Sequence, residues 1–165
     1  MPTAALVSLA TSVPPHVFLQ KDVLPAAWDG FGSRFPEFER FSSIFSNTGI
    51  IKRHAVKPFD WYLEPRTWPE RTEAFLEGAE ALFVEVAEKA LADADLTGRD
   101  IDTIVTVTST GIATPSLEAR VARRMGFRSD VMRVPVFGLG APAAPRACRS
   151  RRDWRRPGPV PTCYW

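Results

Sequence analysis

Two short β-branched segments with a helical stretch between them constrain this chain most. Residues 101–108 (IDTIVTVT) and 131–137 (VMRVPVF) read as strands. Between them Leu117, Val121 and Met125 recur at helical spacing, with Thr114 as the expected N-cap, Pro115 at the first helical position and Gly126 as the C-cap. Pro135 fits the second strand only at a bulge or strand end. Helices alternating with strands predict an α/β fold.

The rest of the front of the chain follows the same logic. Residues 4–12 (AALVSLATS) read as a buried strand closed by Pro14 and Pro15. Residues 21–28 are expected to form a short helix. Residues 35–45 form a second helix, stopped by Asn47-Thr48-Gly49. Residues 50–56 (IIKRHAV) are expected to be extended, and 58–68 to form an aromatic, proline-rich connection. The clearest helix spans 69–94, with Phe75, Ala79, Leu82, Phe83, Val86 and Ala90 on one face and Glu70, Glu73 and Glu77 in the first turns. Thr97-Gly98 ends it.

After Gly140 the pattern is lost. Residues 142–165 carry five prolines, six arginines and one acid, Asp153, with no helical or strand period. Such a segment buries too little apolar surface to order itself, so 141–165 is expected to be a disordered tail. The whole chain has 21 basic and 19 acidic residues, a net charge of +2. Without residues 142–165, fifteen basic and eighteen acidic residues remain, a net of −3. The basic balance therefore belongs to the tail and does not predict nucleic-acid binding by the body. Both cysteines, Cys148 and Cys163, also lie there, so neither a disulfide framework nor a zinc site is expected. Apolar content of 45% and charged content of 24% are those of a globular protein. No apolar run nears the ~20 residues of a membrane span and no signal peptide is read, so a cytoplasmic setting is expected.

A strand followed by Gly138-Leu139-Gly140 and an expected helix is a place where chemistry concentrates. A residue there stands on a tight turn at a helix N-terminus, which stabilises an anion. A cysteine would be a thiolate nucleophile; the residue present is Ala141.

At this point the chain resembles the type III polyketide synthases, relatives of chalcone synthase with the thiolase fold, and is most similar to bacterial members. The resemblance rests on SNTGIIKRHAV (46–56), WYLEP (61–65), VTSTGIATPSLEARVARRMGF (107–127) and VMRVPVFGLG (131–140), in that order. It implies a partial thiolase-like domain over 1–140, the amino-terminal half of the fold. In the family the catalytic cysteine follows the last of these glycines and precedes Ala-Gly-Gly, so Ala141 takes the nucleophile's place. One T added before the Ala141 codon shifts the triplets to TGC, NCC, NGC and NGC. With G or C in the free positions these can encode Cys-Ala-Gly-Gly, so the tail is expected to reflect a single-base deletion, real or a sequencing error, after the Gly140 codon.

The resemblance further implies a substrate pair of acyl-CoA and malonyl-CoA, a homodimer in intact members, and no metal or redox cofactor. The family's histidine and asparagine lie downstream, and His16 and His54 match neither. Lys52 matches a lysine that contacts the coenzyme A phosphates, while Phe45 and Thr48 fall where relatives carry basic residues. Ser109, Thr110 and Gly111 match the active-site wall, and Thr114 a position that reaches into the partner's cavity. Phe137 and Leu139 are candidates for cavity lining. Turn and cap roles alone also satisfy these residue types. Two other readings stand beside the first. One is a condensing enzyme like ketoacyl-acyl-carrier-protein synthase III. The other is a noncatalytic product, either a decoy subunit or the remnant of an inactivated gene.

Overall fold

The Val13–Ala74 stretch is built on a short antiparallel ribbon with a buried amide at its end. The structure is a computed structural model describing residues 5–31, 35, 37–139 and 163–164. The chain divides into two units, Val13–Ala74 and Met1–Ser12 with Phe75–Trp165. In the first, β1 (His16–Leu19) runs directly into α1 (Gln20–Phe31), followed by α2 (Phe38–Asn47) and β2 (Lys52–Ala55). β1 and β2 pair antiparallel, with Leu19 opposite Lys52 and Val17 opposite His54.

A two-stranded ribbon is marginal by itself, and Gln20 reinforces this one. Its backbone N–H donates to Ile51 O at 2.9 Å. Its Nε2 donates to Phe45 O at 3.1 Å, and its Oε1 accepts from Arg53 Nε at 2.7 Å. One buried amide thus ties the start of α1 to α2 and β2.

The helices expected over 21–28 and 35–45 are present as α1 and α2, and Gly49 ends α2 with φ +66°. The connection expected over 58–68 contains a helix, α3 (Phe59–Leu63). Phe18 holds it there by edge contacts with Phe59 at 4.9 Å and Tyr62 at 5.8 Å.

The long helix is α4 (Trp68–Asp93). Thr67 and Glu70 form its start: a Glu70 carboxylate oxygen accepts from the Thr67 N–H and hydroxyl, both at 2.7 Å. The face of α4 differs from the expected one. Ala90 is buried as expected, but Val84 and Leu91 are buried as well, while Phe75, Ala79 and Leu82 are only half-buried. The sequence ALFVEVA offers apolar residues on several sides, so the packing partner sets the phase.

In the second unit β3 (Thr103–Thr108), α5 (Leu117–Met125) and β4 (Met132–Phe137) form a strand–helix–strand motif. The two strands are parallel, in register from Thr103 opposite Met132 to Thr108 opposite Phe137. Val84, Leu91, Ile101, Ile104, Val121, Met125 and Val131 make the core. Pro135 is accommodated because β4 is an outer strand among the described residues, where a missing N–H costs little. Gly126 closes α5 with φ +67° and donates to Ala122 O and Arg123 O.

Four expectations need correction. Residues 5–12 form no strand, and Leu6, Val7 and Leu9 are 61–70% exposed. A strand exists only beside a partner backbone, and none of the described strands pairs with this segment. Ser8 Oγ instead donates to Ala90 O at 2.8 Å. Helix α5 begins two residues later than expected: Ser116, not Thr114, is its cap, and its backbone carbonyl accepts from the N–H groups of Ala119 and Arg120 at 3.0 Å. Thr114 and Pro115 lie in the turn before it. The buried stripe of α5 also includes a charged residue type, Glu118, while Leu117 is only half-buried. Of the tail, only Cys163–Tyr164 is described. It forms β5, parallel to β3 at Thr103 and Ile104. Backbone pairing of this length needs no side-chain period. The rest of 141–165 lies outside the described residues.

Two outcomes follow for stability. A Cβ at Gly98 would lie 2.0 Å from Met125 O, a backbone atom that cannot yield. Gly98→Ala should therefore lower stability by about 1–3 kcal/mol in urea unfolding. The Thr67 backbone and hydroxyl donors hold Glu70 below its usual carboxylate range, and Thr97 does the same for Asp100. Both groups are lowered on folding, so their contribution is present above the ordinary carboxylate pKa and fades as pH falls through the lowered one. Helical circular dichroism should decline with acid over that window, and the decline should weaken in Thr67→Ala.

Candidate active-site loops at the ends of the parallel strands

Parallel strands bring their carboxyl ends to one edge, where ligands of α/β proteins bind. Here that edge carries the segment after β3, residues 109–116, and the turn after β4. Gly138 N–H donates to Thr108 O at 3.1 Å and joins the two strand ends. Gly138 has φ +75°, which glycine adopts without strain, and it turns the chain directly after Phe137. Thr110 N–H donates to Thr108 Oγ1 at 3.2 Å, folding the loop back on the end of its strand.

Ser109, Thr110 and Thr114 are exposed, and Gly111 is half-buried. The backbone at Gly111 lies on the Phe75 ring: a Cβ there would meet the ring carbons at 2.5, 2.6 and 2.8 Å. This is the reason position 111 carries no side chain. Ile112, Phe137 and Leu139 are exposed by 47–62%, an apolar rim around the same strand ends. Ser109, Thr110, Gly111 and Thr114 are therefore brought together on one loop, beside the turn that leads to position 141. Ala141 itself lies outside the described residues.

Lys52 belongs to the other unit. It is exposed on β2, and the register places it on one face of the ribbon with Leu19, Val17 and His54. His54 Nδ1 lies 3.2 Å from Pro14 O. Phe45 is in α2, with its ring 6.4 Å from that of Phe38, and Thr48 is the C-cap of that helix.

Sequence reasoning missed Phe75 as a support of the loop, and it missed Glu118. Glu118 is fully buried and accepts from Thr106 Oγ1 at 2.8 Å through Oε2. An acid in the first turn of a helix reads as a solvated, dipole-favoured residue. Nothing local marks it as buried. Among the described residues no cluster of His, Cys, Asp or Glu suits a metal ion, and no helix is long and apolar enough to cross a membrane.

Gly111→Ala would drive a methyl into the base of the Phe75 ring. It should cost about 1–3 kcal/mol in urea unfolding, and combining it with Phe75→Leu should recover part of that loss.

Comparison with known proteins places these loops in context. Residues 35–147 match the family described as FAE1/Type III polyketide synthase-like protein. A 1,3,6,8-tetrahydroxynaphthalene synthase of Streptomyces peucetius subsp. caesius is 36% identical over 136 residues, 82% of this chain and 36% of that protein. The solved structure of the 1,3,6,8-tetrahydroxynaphthalene synthase of Streptomyces coelicolor A3(2) superposes with a TM-score of 0.81 at 32% identity, covering 92% of this chain and 43% of that one. A β-ketoacyl-[acyl-carrier-protein] synthase III of Mycobacteroides abscessus is 34% identical over 104 residues, 61% of this chain and 29% of that protein. The chain thus spans well under half the length of these relatives.

Proposed function

The chain belongs to the FAE1/Type III polyketide synthase-like family, and on that premise we propose that it is the amino-terminal part of an enzyme that extends acyl-CoA with malonyl-CoA. The reaction is a decarboxylative Claisen condensation. A cysteine thiolate attacks the starter thioester and expels CoA as its thiolate, which takes a proton from water. Malonyl-CoA loses CO2 to give an enolate, which attacks the enzyme-bound acyl group and releases the thiolate. CoA is a substrate carrier here, and the residues assign no separate cofactor.

The observation that supports this most is the convergence of the 109–114 loop and the Gly138 turn on one strand edge, three residues before position 141. In this reading the position after Gly140 is the nucleophile's. The turn exposes it, and the helix start expected beyond it in the intact family would stabilise the thiolate. Ser109, Thr110 and Gly111 are assigned to the cavity wall, and Thr114 to a contact across a homodimer. Lys52 is assigned to a CoA phosphate as a point charge. With Ala141 at the critical position, the chain as it stands forms no acyl-enzyme.

A second reading has its own support in the synthase III of Mycobacteroides abscessus. It shares the condensation and differs in the extender's carrier, an acyl carrier protein in place of CoA. The polyketide reading is preferred because the family match covers residues 35–147, including the 46–65 stretch.

Incubated with acyl-CoA, the 165-residue chain should show no mass increase and release no CO2 from malonyl-CoA. Inserting one base after the Gly140 codon of its gene should open a frame beginning Cys-Ala-Gly-Gly. The product of that frame should carry one acyl adduct on the new cysteine. Acylation of Cys148 or Cys163 in the unaltered chain would overturn the assignment.

A further inference from the structure

Glu118 is the one fully buried carboxyl among the described residues, and the chemistry above does not use it. It is the second residue of α5, directly after the end of the 109–116 segment. Its bond partner, Thr106, stands two residues before the end of β3. The 2.8 Å bond between them therefore spans the base of the loop and ties its exit to its entry. The other carboxyl oxygen, Oε1, is buried with no hydrogen-bond partner among the described residues. An apolar side chain of the same size would avoid that cost, since a buried polar atom without a partner is destabilising. Packing alone gives no reason for a carboxyl here; a geometric task does.

The loop is also held from other directions. The backbone at Gly111 lies on Phe75 of α4. Two residues beyond Glu118, Arg120 pairs with Glu80, which fixes α5 to α4. Of these ties, only Glu118–Thr106 joins the helix start to the strand that carries the loop.

We propose that Glu118 is a positioning residue: through Thr106 it closes the base of the 109–116 loop and fixes Ser109, Thr110 and Thr114 relative to the Gly138 turn. The claim that this loop is a site wall rests on the functional reading above. The clamp itself does not, so the two can fail separately.

The test is amide hydrogen exchange on the full chain, read segment by segment. Thr106→Val removes the hydroxyl and keeps the shape, while Thr106→Ser restores the hydroxyl. Loss of one such bond should raise exchange within 109–116 by about tenfold in Thr106→Val. Glu118→Met should do the same, and the double variant should add nothing further, because both remove one interaction. Thr106→Ser and Glu118→Gln retain a donor–acceptor pair and should stay within about threefold of the parent. If 109–116 is unchanged, or if β3, β4 and α5 speed up equally with it, Glu118 is only a stability element. Additive effects in the double variant would also defeat the clamp. Should Glu118→Met not fold, the comparison of Thr106→Val with Thr106→Ser decides the matter alone.

Discussion

Parallel strands cannot be joined by a tight turn, so the pairing of Thr103–Thr108 with Met132–Phe137 dictates what lies between Thr108 and Met132. The chain must leave one end of the sheet and return to the other, and α5 is that return. Its apolar residues Val121 and Met125 fill the core against Ile104 and Val131, and α4 covers the same core with Val84 and Leu91. The crossover also puts two chain segments, 109–116 and the turn at Gly138, at one edge of the sheet. Burial makes the motif; the motif's connectivity makes the edge. Ser109, Thr110, Gly111 and Thr114 sit there because backbone pairing and crossover packing put them there.

Legibility in the sequence followed how local each cause is. The β-branched runs, the Gly49 and Gly126 stops and the long amphipathic helix declare themselves within a few residues, and they are found where expected. What escaped depends on distant partners. HVFL (16–19) is too short to show a strand period, and its strand exists because Lys52–Ala55 lies beside it. FDWYL (59–63) reads as a connection until Phe18 supplies an aromatic contact from β1. Residues 5–12 fail in the opposite way: ALVSLATS has the composition of a strand, but no described strand pairs with it. The phase of α4 was ambiguous because apolar residues surround it, and no local rule chooses among its faces.

The same distinction applies to the candidate site. Gly138 and Gly111 could be read as turn residues from sequence, and Gly138 is one. The reason for Gly111 is different: it yields space to Phe75, thirty-six positions away. Glu118 was invisible for a related reason. An acid in the first turn of a helix is expected in water, favoured by the helix dipole, and only the tertiary fold reveals that Thr106 and the core close over it. Local rules therefore locate a loop of this kind, whereas long-range contacts decide how it is held.

Fold and chemistry separate cleanly in this chain. Everything that builds the strand edge lies at or before Leu139, and the match to type III polyketide synthases runs through it to residue 147. The position on which condensation depends in the proposed reading lies two residues further on. There alanine stands, and the charge balance, proline content and cysteine distribution all change together. A substitution selected at a single site alters one residue and leaves its neighbours' character intact. A shift of reading frame changes every residue from one point onward. The simultaneous change in all three properties fits the second kind of event, the shift of reading frame that the base-insertion experiment tests.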